Sequence, residues 1–298
     1  MTQSVTVSAP AKINLSLGVG PLRADGFHPL ATVFQAIGLF DEVRVRPAES
    51  DILTVYGDGV DASDVPTDGS NIALKAARLL AKHHSVDEYV EMHIHKRIPV
   101  AGGLAGGSAD AAAALVACDA LWGLRTPRDE LLDLAAELGS DVPFCVVGGT
   151  AIGLGRGEVL SPVMSRGSYW WVVVPGEGGL STPSVYAEFD RLIADSGADE
   201  PEVSDSLLSA LRAGDVEWLG TALSNDLQRA ALSLQPDLAP LLEQGLDASA
   251  HGAIVSGSGP TTVFLCESRE HALEVGSTFD RTVLVAEAPV HGARVVSR

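Results

Sequence analysis

Apolar residues recur at every second position near the start of the chain, at every third or fourth in its middle, and in both ways toward its end. Val5 and Val7 open a strand pattern that Ile13, Leu15 and Leu17 resume after Pro10, and Val43 with Val45 marks another strand. Asn71 to Lys82 has helical spacing, with Ser70 or Asn71 as its cap. Val90, Met92 and Ile94 then alternate with Glu91, His93 and His95, the period of a half-buried strand. Ala111 to Trp122 is apolar almost all round, as a buried helix is, and Pro127 to Leu138 predicts a second helix with proline in its first turn. Gly139-Ser-Asp-Val-Pro-Phe-Cys145 reads as a sharp turn that sets Asp141 between a helix end and an apolar strand.

The second half predicts a strand at Trp170 to Val174, helices near 183–194, 205–212, 215–223 and 236–245, and a further helix near 269–278. Strands are expected at 253–256, 261–266, 282–287 and 293–296. This mixed order predicts an α+β fold. A chain of 298 residues has room for two cores of ordinary size, and the turn-rich stretch near 155–168 puts the division near residue 160, giving units 1–160 and 161–298.

Between the strand ending near His95 and the buried helix lies Pro99-Val-Ala-Gly-Gly-Leu-Ala-Gly-Gly-Ser-Ala-Asp110. Glycines let successive N–H groups turn to one centre, and a helix starting near Ser108 adds its positive end, so an anion such as phosphate is the expected guest. The alternative, a flexible Gly/Ala linker, fits poorly between a strand and a core helix. The chain has no Gly-Lys-Ser/Thr of a Walker A loop and no Gly-x-Gly-x-x-Gly, so the two commonest nucleotide loops are absent.

Composition narrows the partners. A net charge of −19 argues against broad nucleic-acid binding, and no apolar run reaches the length of a membrane span. The first residues show no basic segment followed by an apolar one, so a cytoplasmic location is expected. Cys118, Cys145 and Cys266 are far apart in apolar surroundings and read as buried thiols. His93 and His95 share a strand face without a third ligand at zinc spacing, so no protein-bound metal is expected. An acidic protein that holds phosphate must place its few cations there, which singles out Lys12, Lys96, Arg97 and Arg23.

Three segments together resemble the GHMP kinases, the superfamily of galactokinase, homoserine kinase and mevalonate kinase: Ala9-Pro-Ala-Lys-Ile-Asn-Leu-Ser-Leu17, the loop at 99–114, and Ile254-Val-Ser-Gly-Ser-Gly-Pro260. Lys12-Ile-Asn14, Arg23-x-Asp-Gly-Phe-His28, Gly139-Ser-Asp-Val-Pro-Phe144 and Ser181-Thr-Pro183 are similar to the branch that acts on a cytidylated methylerythritol. The resemblance implies an S5-like N-terminal domain and a ferredoxin-like C-terminal one, with the active site in the cleft between them. It implies ATP as donor, Mg2+ arriving with it, and an acceptor in which cytidine diphosphate is linked to methylerythritol, phosphorylated at its 2-hydroxyl on the non-mevalonate route to isoprenoids. Other acceptors of the superfamily, homoserine or mevalonate, and a non-catalytic nucleotide-binding homologue are the alternatives.

On this reading Lys12 and Asp141 are catalytic, and the ordinary alternative for them is a salt bridge between strand and turn. Lys96 together with Pro99, Val100, Ala101, Gly102, Gly103, Leu104, Ala105, Gly106, Gly107, Ser108 and Ala109 cradles ATP. Asn14, Phe27, His28, Thr182 and Tyr186 meet the acceptor, the aromatic rings as stacking faces for a pyrimidine; core packing is the alternative for each ring. The family loop commonly reads Gly-Ser-Ser-Asn-Ala-Ala, so Ala109 lacks a hydroxyl and Asp110 adds a charge, and phosphate contacts are expected from the backbone N–H of Ala109 or from Ser108. Asp110 is expected to point away or to cap the helix. Ala105 stands where the family usually has glycine, which restricts the middle of the loop.

Overall fold

A computed structural model describes residues 3–298. In the first half it contains β1 (Val5–Val19), β2 (Leu30–Ala48), β3 (Ile52–Gly57), α1 (Ile72–His83), β4 (Tyr89–Lys96), α2 (Gly106–Trp122), α3 (Arg128–Leu138), α4 (Val142–Val147), β5 (Thr150–Gly155) and β6 (Val159–Pro162). The second half contains β7 (Tyr169–Val174), α5 (Thr182–Leu192), α6 (Asp205–Ala213), α7 (Val216–Ala222), β8 (Ser224–Asn225), α8 (Gln228–Leu234), α9 (Leu238–Asp247), β9 (Gly252–Val255), β10 (Thr262–Cys266), α10 (Arg269–Gly276), β11 (Leu284–Ala288) and β12 (Arg294–Ser297).

Two sheets organise these elements. The larger runs β12-β1-β2-β4-β3, with β5 on β2, β6 on β5 and β8 beside β1. Its spine is β2, 19 residues long: the first part pairs β5 and the later part pairs β4. Alternation along β4 buries Val90, Met92, Ile94 and Lys96 and turns Glu91, His93 and His95 outward. Helix α1 sets Leu74, Ala77 and Leu80 into the core, and Asn71, one of the two expected caps, accepts the Ala73 N–H. Helix α2 is buried through its alanine run, whose small side chains let it lie close to α1, α4 and the sheet.

The smaller sheet is antiparallel, in the order β11-β7-β10-β9. Numbered within that unit the order is four, one, three, two, with helices after the first and third strands, which is the ferredoxin-like arrangement. Strand β12 leaves this unit and returns to β1, pairing Val7 with Val295, and so covers an edge that β1 would otherwise expose.

Two local expectations differ. The residues after Asp141 form the short helix α4 rather than a strand; Pro143 suits a first turn, and Val142, Phe144 and Cys145 are buried together. The turn-rich stretch near 155–168 contains most of the β5–β6 hairpin, whose glycines obscure its alternation. All three cysteines are free and buried, and burial pushes the Cys118 and Cys266 thiols up to about 12. Among the described residues no helix is long and apolar enough to cross a membrane.

Candidate active site

A cleft of about 820 Å3 opens between the two sheets, and the glycine loop forms one wall. Leaving β4, the backbone takes positive φ at Ala101 (56°), Gly103 (75°) and Ala105 (60°) and enters α2 at Gly106, two residues before the expected start. Gly106, Gly107 and Ser108 line the cleft in the first turn, where helix geometry leaves N–H groups without an intrahelical carbonyl, and Ala105 has no side chain to cap them. Donors and dipole therefore face one space, and an anion completes them. The loop is clasped from both sides. Lys12 N–H donates to the Leu104 carbonyl (3.1 Å), and Ser256 Oγ donates to the Gly103 carbonyl (3.2 Å). A Cβ on Gly103 would collide with the Ser256 carbonyl oxygen, so this close approach needs glycine.

Opposite the loop, β1 carries Lys12 and Asn14 two residues apart and on one face, between bulges at Pro10/Ala11 and Asn14/Ser16. The Lys12 ammonium is buried. It donates to Asn14 Oδ1 at 2.9 Å, lies 3.7 Å from Asp141 Oδ2, and sits 5.7 Å from the Phe34 ring centroid. Asp141 stands at the start of α4, and its side chain is 32% exposed, so the carboxylate is open to the cleft. At this separation and an effective dielectric near 20, the pair attracts by about 4 kcal/mol before desolvation, enough to keep the two side chains aligned.

The far end of the cleft is aromatic. His28 is buried with Nδ1 donating to the Gly20 carbonyl (2.8 Å), while Nε2 lies 3.6 Å from Asp190. Tyr186 on α5 stacks on the His28 ring with centroids 5.1 Å apart, so it covers the imidazole directly. Burial pushes the Tyr186 phenol up to about 12. Phe27 is exposed, and the Arg156 guanidinium lies over its ring at 5.2 Å. Thr182, at the start of α5, shares a 3.0 Å hydrogen bond with Ser258, and both line the cleft.

Lys12, Asn14, Phe27, His28, Ala101, Gly102, Gly103, Ala105, Gly106, Gly107, Ser108, Asp141, Thr182 and Tyr186 are thus brought to one cleft. Lys96 is not. It occupies the inward face of β4, where its ammonium pairs with Asp41 and, at 2.7 Å, with Asp110. Burial opposes that charge, but the two carboxylates outweigh it and hold the lysine above its ordinary value. Asp110 points away from the cleft, as expected, and does not cap the helix. Burial pushes its carboxyl well above the ordinary range, with Lys96 working against the shift and Asp41 adding to it. Ala109 is wholly buried and its N–H donates to the Ala105 carbonyl, so it has no donor to spare for phosphate. Pro99 and Leu104 are buried, Val100 faces outward, and none of the three lines the cleft. Arg97 pairs with Glu42 and Asp58, and Arg23 with Asp25.

The cleft also takes residues that the sequence did not single out. Arg156, from the β5–β6 turn, and Lys12 are the arginine and lysine lining it among the described residues, and Asp190, near His28, and Ser258, beside Thr182, line it as well. The one available signal for Arg156 was its place between Gly155 and Gly157, which marks a turn and no chemistry. No group of three metal-binding side chains occurs among the described residues.

Comparison with known proteins gives concordant matches. A family model described as GHMP kinases N terminal domain matches residues 71–149, and one described as GHMP kinases C terminal matches residues 207–283. The chain is 55% identical to a 4-diphosphocytidyl-2-C-methyl-D-erythritol kinase of Nocardioides sp., across 97% of this chain and 99% of the relative. It is also 55% identical to the protein of that name from Thermobifida fusca, across 98% of each. A crystal structure of 4-(cytidine 5'-diphospho)-2C-methyl-D-erythritol kinase superposes with a TM-score of 0.77 at 30% identity, covering 96% of this chain and 99% of the other. A homoserine kinase from Cytophaga hutchinsonii superposes at 0.74 with 20% identity, covering 99% and 98%, a likeness of fold alone.

Proposed function

The chain belongs to the GHMP kinases, and from that membership and the geometry of the cleft we propose that it transfers the γ-phosphoryl group of ATP to the 2-hydroxyl of 4-diphosphocytidyl-2-C-methyl-D-erythritol, a step of the non-mevalonate isoprenoid route. One observation carries the reading: Lys12 and Asp141 stand 3.7 Å apart in the cleft that also receives the open N-terminus of α2.

Transfer from ATP asks for positioning and charge stabilisation more than covalent work. Gly106, Gly107 and Ser108 hold the phosphates through their N–H groups. Asp141 orients the acceptor hydroxyl and takes its proton as the oxygen bonds to the γ-phosphorus and the bond from that phosphorus to ADP breaks. An aspartate is a weak base toward an alcohol, so orientation and late proton acceptance are its main work. Lys12 faces the charge on the transferred group. Phe27 and Arg156 offer an aromatic face and a cation to the pyrimidine and its diphosphate, with His28, Tyr186, Asn14 and Thr182 completing the acceptor end. Magnesium bound with ATP would neutralise charge across the phosphates, and the Ser108 hydroxyl, which lines the cleft, would be the protein oxygen offered to it. A cytoplasmic location belongs to the same proposal, since the donor is ATP.

A coupled ADP-release assay with ATP, magnesium and a panel of acceptors tests the reading. Turnover well above ATPase background is expected with the cytidylated acceptor and not with homoserine or mevalonate, and Asp141→Asn lowers it by about a hundredfold or more. Turnover of homoserine or mevalonate instead would overturn the substrate assignment. No transfer to any acceptor would favour a nucleotide-binding homologue.

A further inference from the structure

We propose that Thr32 is a positioning residue for the transfer step: its hydroxyl fixes the orientation of the Asn14 amide and, through it, holds the Lys12 ammonium off Asp141. The proposal rests on the kinase reading of the cleft and adds a residue that does not line it.

Thr32 lies on β2, opposite Leu17 of β1, and is fully buried. Its Oγ1 is 2.6 Å from the Ser16 carbonyl oxygen. A carbonyl only accepts, so the single hydroxyl proton is spent there. Toward Asn14, 2.8 Å away, Thr32 then has only lone pairs to offer, and the amide must present its NH2 end. That turns Oδ1 toward Lys12 Nζ at 2.9 Å. The reversed amide would set NH2 against ammonium and a carbonyl against a lone pair, losing both bonds. From Lys12 to the Ser16 carbonyl, every proton on this chain of contacts has one place.

The consequence falls on the catalytic pair. Lys12 is anchored to a neutral oxygen and remains 3.7 Å from Asp141 Oδ2, beyond the roughly 2.8 Å of a direct charge-assisted bond. Without that anchor the ammonium would close on the carboxylate, and each would occupy the other where the acceptor hydroxyl and the phosphoryl group must enter. Gly257 of the second unit lies beside Lys12 and Asn14, where a Cβ built on it would reach ordinary van der Waals contact with Nζ (3.4 Å) and Oδ1 (3.5 Å).

Thr32→Val removes the hydroxyl at nearly constant shape, and Thr32→Ser keeps it. For Thr32→Val, kcat should fall about tenfold with both KM values within about twofold, and Thr32→Ser should restore it. On an Asn14→Ala background Thr32→Val should cost nothing further, because its effect runs through the amide. Thr32→Cys, with a weak donor, should give an intermediate loss, and it serves as the test if Thr32→Val does not fold. Exchange of the Asn14 side-chain NH2, followed by 15N NMR, should be slow in the wild type and in Thr32→Ser and fast in Thr32→Val. A wild-type kcat in Thr32→Val, a loss that adds to that of Asn14→Ala, or unchanged amide exchange would overturn the proposal. If the wild type phosphorylated no acceptor, the kinase reading would fail, while amide exchange would still decide the role of Thr32.

Discussion

Lys96 shows what a residue's charge reveals and what its position adds. In an acidic chain any lysine beside a glycine loop invites phosphate, yet the alternation that buries Val90, Met92 and Ile94 also buries Lys96. The sequence carried that signal, and the attraction of a cation to an expected anion masked it. The same burial makes Asp110 a pH-dependent load. Its folded carboxyl holds its proton to higher pH than the unfolded one, so the load is absent below the ordinary aspartate range and grows as pH rises through the folded value. Asp110→Asn removes the ionisation and leaves Lys96 its pair with Asp41. Its melting temperature should exceed the wild type's at about pH 8, with the difference shrinking toward zero near pH 4; a difference independent of pH would contradict this origin.

Elements were legible where a period ran long enough. Helices α1, α2 and α3 and strand β4 follow from spacing, whereas α4, α8, β5 and β6 are too short or too rich in glycine to declare themselves. The phosphate loop falls between these cases: its glycines announced a turn, but its conformation rests on two alanines with φ of 56° and 60°. A left-handed alanine costs about 1 kcal/mol, and glycine there loses a comparable amount in chain entropy. Ala105→Gly should therefore shift stability by less than about 0.5 kcal/mol and leave the ATP KM within about twofold, whereas the β-branched Ala105→Val should destabilise by about 1–2 kcal/mol and raise that KM. Thermal melts and ATP titrations decide it; a large loss in Ala105→Gly would mean that the alanine methyl packs in a way the left-handed turn does not explain.

For the whole molecule, the α+β class was legible in the mixed order of strands and helices, whereas the ferredoxin-like unit was expected from the family resemblance alone. How the halves meet was not. Strand β12 returns to β1, and Ser256 reaches the Gly103 carbonyl, joining residues more than a hundred positions apart by contacts that no local spacing encodes. Lys12 and Asp141 meet through the same long-range packing, and their identification drew on family resemblance, whereas Arg156, a lone cation in a hairpin turn, emerged only from the fold. What this assembly creates is one cleft with the open N-terminus of α2 on one wall and the Lys12–Asp141 pair opposite it. The most direct test is 31P NMR of a reaction containing ATP, magnesium and the cytidylated methylerythritol. One new phosphomonoester resonance should grow in step with ADP while the acceptor's own diphosphate stays intact; ADP appearing with inorganic phosphate and no new ester would contradict transfer to that acceptor.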